Sequence, residues 1–448
     1  MKTSRKHLFL AIVIGVSLLS SSRSYGIPAF ARRYQMECTM CHEPVPRLNE
    51  FGYKFRAAGF RLPEEIGKGE ADRDYSNYIA ARVVFAGSYK STKGSDNNTG
   101  VNQSAQDNIV GFQSASIYPL CGAFGGHISA WSEFGYSPGA GNGTINIGNA
   151  FVRLTYGDTA SFWSFRVGVF SAIEGYGASD ASISPSSPLL KGAGQTWIGS
   201  KLASTLYTPG AGEAGVEAGW NMDRLSVHVG IFNGGYANGS KFQASIVPGS
   251  VDKPANSPSY NSKDLMLFAN YILDEHGGSV AGYAFTGSID FPNPIASLAG
   301  NPQAMFPDQY MRYGVYATSP TFSGFKLLAG LAMGSDKEWT KDTTILPYLG
   351  KVADSTTSSM GYFIEPDFRI DKNWSVGARY DFFDPITSAN YKNNEINAVT
   401  AFVNYCMNNG LTFYAEAKQQ TTLQGVDVSN TVKKKDDYSL TLRTFFIW

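Results

Sequence analysis

The chain has 448 residues, with 37 basic and 37 acidic side chains and no formal net charge. That balance excludes the strongly basic footprint of a nucleic-acid-binding protein. A 43% hydrophobic content, with 48 glycines, 25 tyrosines and 29 phenylalanines, suits many half-apolar strands and argues against a helical membrane bundle.

Residues 1–26 read as a secretory signal. Lys2, Arg5 and Lys6 form a basic start, and Leu8 to Leu19 form a short apolar core. Ser24 and Gly26 satisfy the small-residue rule at a cleavage site before Ile27. The apolar run is too short for a membrane span. The mature chain is therefore expected outside the inner membrane.

Residues 27–73 carry Cys38-Thr39-Met40-Cys41-His42. The spacing C-x-x-C-H reads as a c-type haem attachment site. Each thiol can add across one vinyl group to form a thioether. His42, the next residue, then supplies an axial nitrogen to the iron. The rival reading is a redox C-x-x-C that happens to precede a histidine. Around the motif, Ile27 to Phe30 is expected to be extended, because the residue before Pro28 avoids the helix. Tyr34 to His42 is expected to be a short helix. Pro46 opens a second helix in this reading. Leu48, Phe51, Phe55 and Ala58 then recur at helical spacing towards the porphyrin, and Gly59 stops the helix. A segment this small seldom buries an adequate core alone, so another part of the chain must cover its open side. The ligand opposite His42 is not encoded by the motif. Met36, His127, His228 and the barrel methionines stay open as candidates. Arg32, Arg33, Arg47, Lys54, Arg56 and Arg61 make the segment basic, fit to pair with haem propionates or to dock an acidic periplasmic carrier.

Residues 74–448 show runs of about ten residues with alternating apolar character, separated by turn residues, which is the pattern of a transmembrane β-barrel. Sixteen runs are legible, from ARVVFAG through LSVHVGIF and WSVGARYDFF to YSLTLRTFFIW. The fold class expected is thus mainly β: a 16-stranded antiparallel barrel with a short N-terminal helical haem segment. The connections alternate. Short turns such as Asn221-Met222-Asp223-Arg224 and Asp274-Glu275-His276-Gly277 follow even runs, and long polar loops follow odd ones. Outer-membrane barrels keep their short turns in the periplasm, so the haem segment starts at the periplasmic mouth. Alternation sends Trp374, Val376, Ala378, Tyr380 and Phe382 to lipid. It sends Arg153, Arg166, Glu365, Asp367, Arg369, Arg379, Asp381, Glu416 and Lys418 inward, predicting a polar lumen. Trp163, Trp374 and Trp448 fit an interfacial aromatic belt. Loop residues Asp180, Asp354 and Glu395 are placed to attract a cation. Cys121 and Cys406 read as isolated thiols. No P-loop, dinucleotide fingerprint, nucleophile elbow or paired zinc spacing occurs.

The short mature start IPAFARRYQMECTMCH, with Pro28, Ala29, Phe30, Arg32, Cys38, Cys41 and His42, leads directly into a barrel. In this the chain resembles the fused monohaem cytochrome–porin family of outer-membrane iron oxidases. The resemblance implies a single haem c plugging the barrel. It also implies oxidation of extracellular Fe(II), with electrons passed to a periplasmic c-type cytochrome. Two other functions compete. One is a haem-plugged porin for small ions, and the other is an exporter that reduces external metal. Ion conductance separates the porin from the two electron carriers.

Overall fold

The computed structural model describes residues 28–69, 71–96, 102–138, 145–171, 173, 181–192, 196–198, 201–203, 213–233, 263–292, 305–337, 357–384, 395–407, 410–426 and 431–447. The signal assigned to residues 1–26 lies outside these, as do Ile27, Asp180, Asp354 and Trp448. Two helices come first, α1 (Pro28–Tyr34) and α2 (Glu50–Ala57). The strands are β1 (Ala80–Asp96), β2 (Asn102–Ala123), β3 (Ile128–Tyr136), β4 (Ile145–Gly157) and β5 (Ser161–Phe170). A small hairpin, β6 (Thr196–Ile198) and β7 (Lys201–Ala203), follows. The rest are β8 (Glu213–Met222), β9 (Leu225–Phe232), β10 (Asp264–Ile272), β11 (Ser279–Pro292), β12 (Met305–Thr318) and β13 (Phe325–Lys337). The last five are β14 (Thr357–Arg369), β15 (Trp374–Asp384), β16 (Ile396–Cys406), β17 (Leu411–Val426) and β18 (Thr431–Ile447).

All but β6 and β7 pair with their neighbours in sequence order into one closed barrel of sixteen strands. Every sequence run falls in its own strand, and LSVHVGIF is β9 from end to end. Closure is made by β1 against β18, antiparallel from Arg82↔Ile447 to Asp96↔Lys433. No unpaired edge is left, which is what a lipid environment demands of a sheet.

Two-residue periodicity sorts the faces. On β15, Trp374, Ala378 and Tyr380 are exposed, while Ser375, Arg379 and Asp381 are buried. On β18, Tyr438, Leu440, Leu442 and Phe446 point out. An apolar outer band on a closed barrel is the architecture of a membrane-spanning outer-membrane barrel. Arg153, Arg166, Glu365, Asp367 and Glu416 are buried inside, as alternation predicts.

The polar lumen expected from alternation is shared with an aromatic wall. Phe232, Phe268, Phe285, Tyr316, Phe363 and Phe383 are buried on the inner faces of β9 to β15. Alternation identifies the inner face, but it does not say whether that face meets water or protein. Here it meets protein. The segment before β1 fills one end, and part of the connection between β5 and β8 folds in from the other. An interior packed in this way obeys the rules of a core.

Candidate functional site: a motif-bearing plug in the barrel mouth

The plug is built from α1, α2 and the turns between them. Pro28 to Phe30, expected to be extended, instead form the first turn of α1, with Pro28 at its head. A first-turn proline loses nothing by lacking an N–H, and its fixed φ suits the helix. Phe30 stacks on Phe60 at 5.1 Å and meets Phe55 edge-on at 5.4 Å. Trp131 of β3 closes this cluster at 5.1 Å from Phe60. The expected helix over Tyr34–His42 is not formed either. Gln35 takes a left-handed φ of 52°, which ends α1. The motif then makes a single 3-10 turn over Cys38–Met40. Cys38 O accepts from Cys41 N at 3.1 Å and from His42 N at 3.0 Å.

α2 starts later than Pro46 suggests, because Asn49 caps it. The Asn49 Oδ1 accepts from Gly52 N at 2.8 Å, a bond worth about 1 kcal/mol to a helix start. The same residue ties the motif down. Its backbone N–H donates to Cys41 O at 3.0 Å, and its Nδ2 donates to Met40 O at 3.0 Å. Gly59, with φ +78°, stops the chain after α2 as expected.

Gly52 was not legible as a site residue. A Cβ there would collide with the Cys41 carbonyl oxygen and touch Leu48 Cδ2 at 3.0 Å. Only glycine lets α2 lie this close to the motif. A Gly52→Val variant is expected to lift the motif off α2. The barrel should keep its heat-modifiable migration on gels, while limited proteolysis cuts near residues 38–49 at least tenfold faster. Unchanged proteolysis would show that the packing tolerates a side chain.

His42 is oriented by its own turn. Its Nδ1 lies 2.8 Å from Pro46 O, so Nδ1 carries the proton and donates, leaving the Nε2 lone pair for a metal. Burial pushes the imidazole pKa down, against the backbone bonds that raise it. The neutral, ligating form is the stable one. Burial, with Cys38 second, pushes the Cys41 thiol up to about 12. None of the four cysteines is in a disulfide. Two reduced thiols three residues apart and a neutral, backbone-oriented imidazole are a donor set that fits a covalently held haem.

The basic residues of the plug act mainly as fasteners. Arg32 donates to Ser76 O and Ile79 O at 2.5 and 2.6 Å. Arg33 donates to Ala123 O at 2.5 Å. Arg61 reaches Gly126 O and, at 2.7 Å, Ile128 O. Lys54 pairs with Glu50 at 2.7 Å and with Asp223 at 3.3 Å. Arg47 is wholly buried and donates to both oxygens of Asp367, at 3.2 and 2.6 Å. Its Nε also donates to Ala181 O at 2.8 Å. The expected surface for docking an acidic carrier is thus largely consumed inside the protein.

The contacts fix the orientation. Glu43 meets His276 at 2.8 Å and Arg369 at 3.2 Å. Glu50 meets Arg224 at 3.0 Å and, through its N–H, Glu275 O at 3.2 Å. Those partners sit on or beside the short turns. From the long-loop side, residues 181–189 are clamped to the wall. Glu365 accepts from Ser182 Oγ at 2.6 Å and Ile183 N at 3.0 Å. Asp381 accepts from Leu189 N at 3.0 Å. Glu416 accepts from Ser184 Oγ at 2.7 Å. Arg443 donates to Pro185 O. Arg379 bridges Glu365 at 3.2 Å and Asp381 at 2.8 Å. Plug and inward loop meet at Arg47 and Ala181.

The candidates for the position opposite His42 are dispersed. His127 lies in the β2–β3 turn, held by Thr155 O at 2.8 Å and stacked on Tyr156. Met36 is partly buried just after α1, with its N–H donated to Ala31 O at 3.2 Å. His228 is buried on β9. Among the described residues no group of three or more His, Cys, Asp or Glu side chains could hold a metal ion.

No protein-family model matches the chain, and no curated protein does. Solved structures that resemble it are outer-membrane channels. The channel DcaP of Acinetobacter baumannii is 11% identical, covers 82% of this chain and 97% of its own, with a TM-score of 0.46. The anion-selective porin of Comamonas acidovorans is 10% identical over 82% of this chain and all of its own, with a TM-score of 0.47. Salmonella typhi OmpF is 12% identical over 82% of this chain and 96% of its own, also at 0.47.

Proposed function

We propose that the protein is an outer-membrane electron carrier of the fused cytochrome–porin type. In this reading one haem c is held by Cys38 and Cys41, with His42 as an axial ligand. Fe(II) from outside the cell is oxidised to Fe(III), and the single electron passes to a periplasmic c-type cytochrome. A haem supplies the one-electron couple. The chain's own residues supply placement. The Pro46 carbonyl holds the His42 ring by its Nδ1 proton, and Asn49 fixes the motif backbone. The observation that carries the reading is the C-x-x-C-H turn locked into the short-turn mouth of a barrel by a buried arginine. Residues that fill the lumen from both ends fit a carrier of electrons better than a path for solutes.

The porin reading keeps one observation in its favour. Arg153, Arg166 and Arg379 share the closed barrel's interior with Glu365, Asp367, Asp381 and Glu416, as ion-handling lumens require. Two measurements decide. Fe(II) added without oxygen to the oxidised, haem-loaded protein is expected to reduce it within a stopped-flow trace, and the His42→Ala variant should lose this. Planar bilayers containing the same protein are expected to stay nearly silent. No reduction, together with steady ion conductance, gives the porin. Rapid reoxidation of the reduced protein by ferric compounds, without the forward reaction, gives the exporter.

A further inference from the structure

The aromatic rings of the plug and of the inner wall form one continuous run. Phe51 stands next to Gly52, the residue pressed against the Cys41 carbonyl, and its ring lies 6.3 Å from that of Phe55. Phe55 meets Phe30 at 5.4 Å, and Phe30 stacks on Phe60 at 5.1 Å. The run then leaves the plug for the wall. Phe60 lies 6.5 Å from Phe151 of β4, and Phe151 lies 5.9 Å from Phe170 of β5. Phe170 meets Phe232 of β9 at 5.4 Å. These two are the last residues of their strands, at the long-loop end of the barrel. Phe285 follows Phe232 at 6.2 Å, and Tyr310 follows Phe285 at 6.2 Å. The Tyr310 hydroxyl donates to Asp264, the first residue of β10, at 2.6 Å. Each separation is that of rings in contact. Phe363 of β14 is just as buried but stands apart, and its ring partner among the described residues is Tyr316 at 6.4 Å.

We infer that this run of rings is the route by which an electron entering at the outer rim reaches the motif. The inference rests on the haem reading above and assigns the chain's own residues that carry the electron. The hydrocarbon to be crossed is about 30 Å thick, and electron tunnelling weakens exponentially with distance. Rings in van der Waals contact divide that distance into gaps of about 3.5–4.0 Å between carbon atoms, and delocalised π electrons span each ring between gaps. Phe170 is 0% exposed, Phe232 and Phe285 1% and Phe151 4%, so the steps run through protein rather than water. The charges over the rings suit a bridge. Arg153 lies over Phe60 and Phe151, at 5.8 and 5.5 Å. Arg166 lies over Phe151 and Phe170, at 5.1 and 3.8 Å. A guanidinium on a ring face is held by the ring's electrons and opposes positive charge on that ring. The rings are therefore not oxidised themselves. One electron leaves Fe(II), which becomes Fe(III), and arrives at the oxidised one-electron centre on the motif. No proton moves, and Tyr310 keeps its bond to Asp264.

The test injects the electron without iron. A ruthenium(II) polypyridyl complex is attached at Lys263→Cys in haem-loaded protein that also carries Cys406→Ser. Lys263 is exposed and donates to Asn233, the residue after Phe232, at 2.7 Å. A laser flash makes the ruthenium give up one electron and become ruthenium(III), and the electron's arrival is read in the haem absorption. Phe170→Leu removes the ring that joins Phe151 to Phe232 and is expected to slow the arrival at least tenfold. Phe170→Tyr, which keeps a ring, should restore most of the rate. Phe363→Leu removes an equally buried ring off the run and should leave the rate unchanged. Midpoint potential and heat-modifiable migration should be the same in all three. An unchanged rate in Phe170→Leu, or an equal slowing in Phe363→Leu, would overturn the route and leave the rings as packing alone. If Phe170→Leu fails to fold, Phe232→Leu breaks the next step and is held to the same outcomes. A parent without haem-linked stain on denaturing gels removes the haem reading and the route with it. Stain together with an unaffected rate removes only the route.

Discussion

An Arg47→Ala variant is expected to turn an almost silent barrel into a conducting one. Arg47 is the point where plug, wall and inward loop are joined. It is fully buried, doubly bonded to Asp367, 3.8 Å from Glu365, and in contact with Ala181 O. Removing it leaves Asp367 buried without its bidentate partner. Truncating one side of a buried ion pair costs about 3–5 kcal/mol. That cost falls on the seating of the plug, because the sixteen strands hold one another without it. The remaining ties on the β10–β14 side are rim pairs such as Glu43–Arg369 and Glu43–His276, worth about 0–1 kcal/mol each. The opposite side is held better, by the Phe30, Phe55, Phe60 and Trp131 cluster and by Arg61. The plug should therefore swing and leak rather than leave. Conductance in planar bilayers is expected to rise at least tenfold, with an unchanged barrel by circular dichroism. Arg47→Lys, which keeps charge but loses the fork, should fall between. A silent Arg47→Ala barrel would mean that the inward loop alone closes the lumen.

The barrel was legible because its rule is local. A two-residue alternation and a turn every ten residues need no knowledge of partners, so all sixteen strands and the faces of Arg379, Asp381 and Glu416 could be read directly. The C-x-x-C-H spacing is local too. What failed depended on tertiary contact. Gln35 in a left-handed conformation ends α1 before the motif, and no residue pattern announced it. Asn49 stands before Glu50 and a helical apolar pattern, as a cap does, but Pro46 gives a competing start signal three residues earlier. Gly52 looks like a poor helix residue until the Cys41 carbonyl is seen beneath it. The basic residues of the plug read as a surface because charge usually means solvent. Their partners were carbonyls and carboxylates as many as 320 residues away. The aromatic inner wall was missed for the same reason, since its cover comes from the plug and from the inward loop.

Replacing both Cys38 and Cys41 with serine should give the largest functional loss and almost no structural one. The plug is seated by Arg47, Arg61, the aromatic cluster and the Asn49 cap. Serine is close in size to cysteine, so the 3-10 turn over Cys38–Met40, closed by backbone bonds to Cys38 O, should survive. The barrel should fold, migrate and resist heat like the parent. Haem-linked peroxidase staining on denaturing gels should vanish, and Fe(II) should produce no absorbance change. His42→Ala gives a different signature: both thiols remain, so stain persists, while the absorption bands move as the axial nitrogen is lost. This pair separates attachment from ligation. It also tests the rival redox reading of the motif. A working C-x-x-C couple in the parent would show a Cys38–Cys41 disulfide after oxidation and no covalent haem. In that case the serine variant would lose thiol–disulfide exchange, and His42→Ala would leave every visible band unchanged, because there would be none to move.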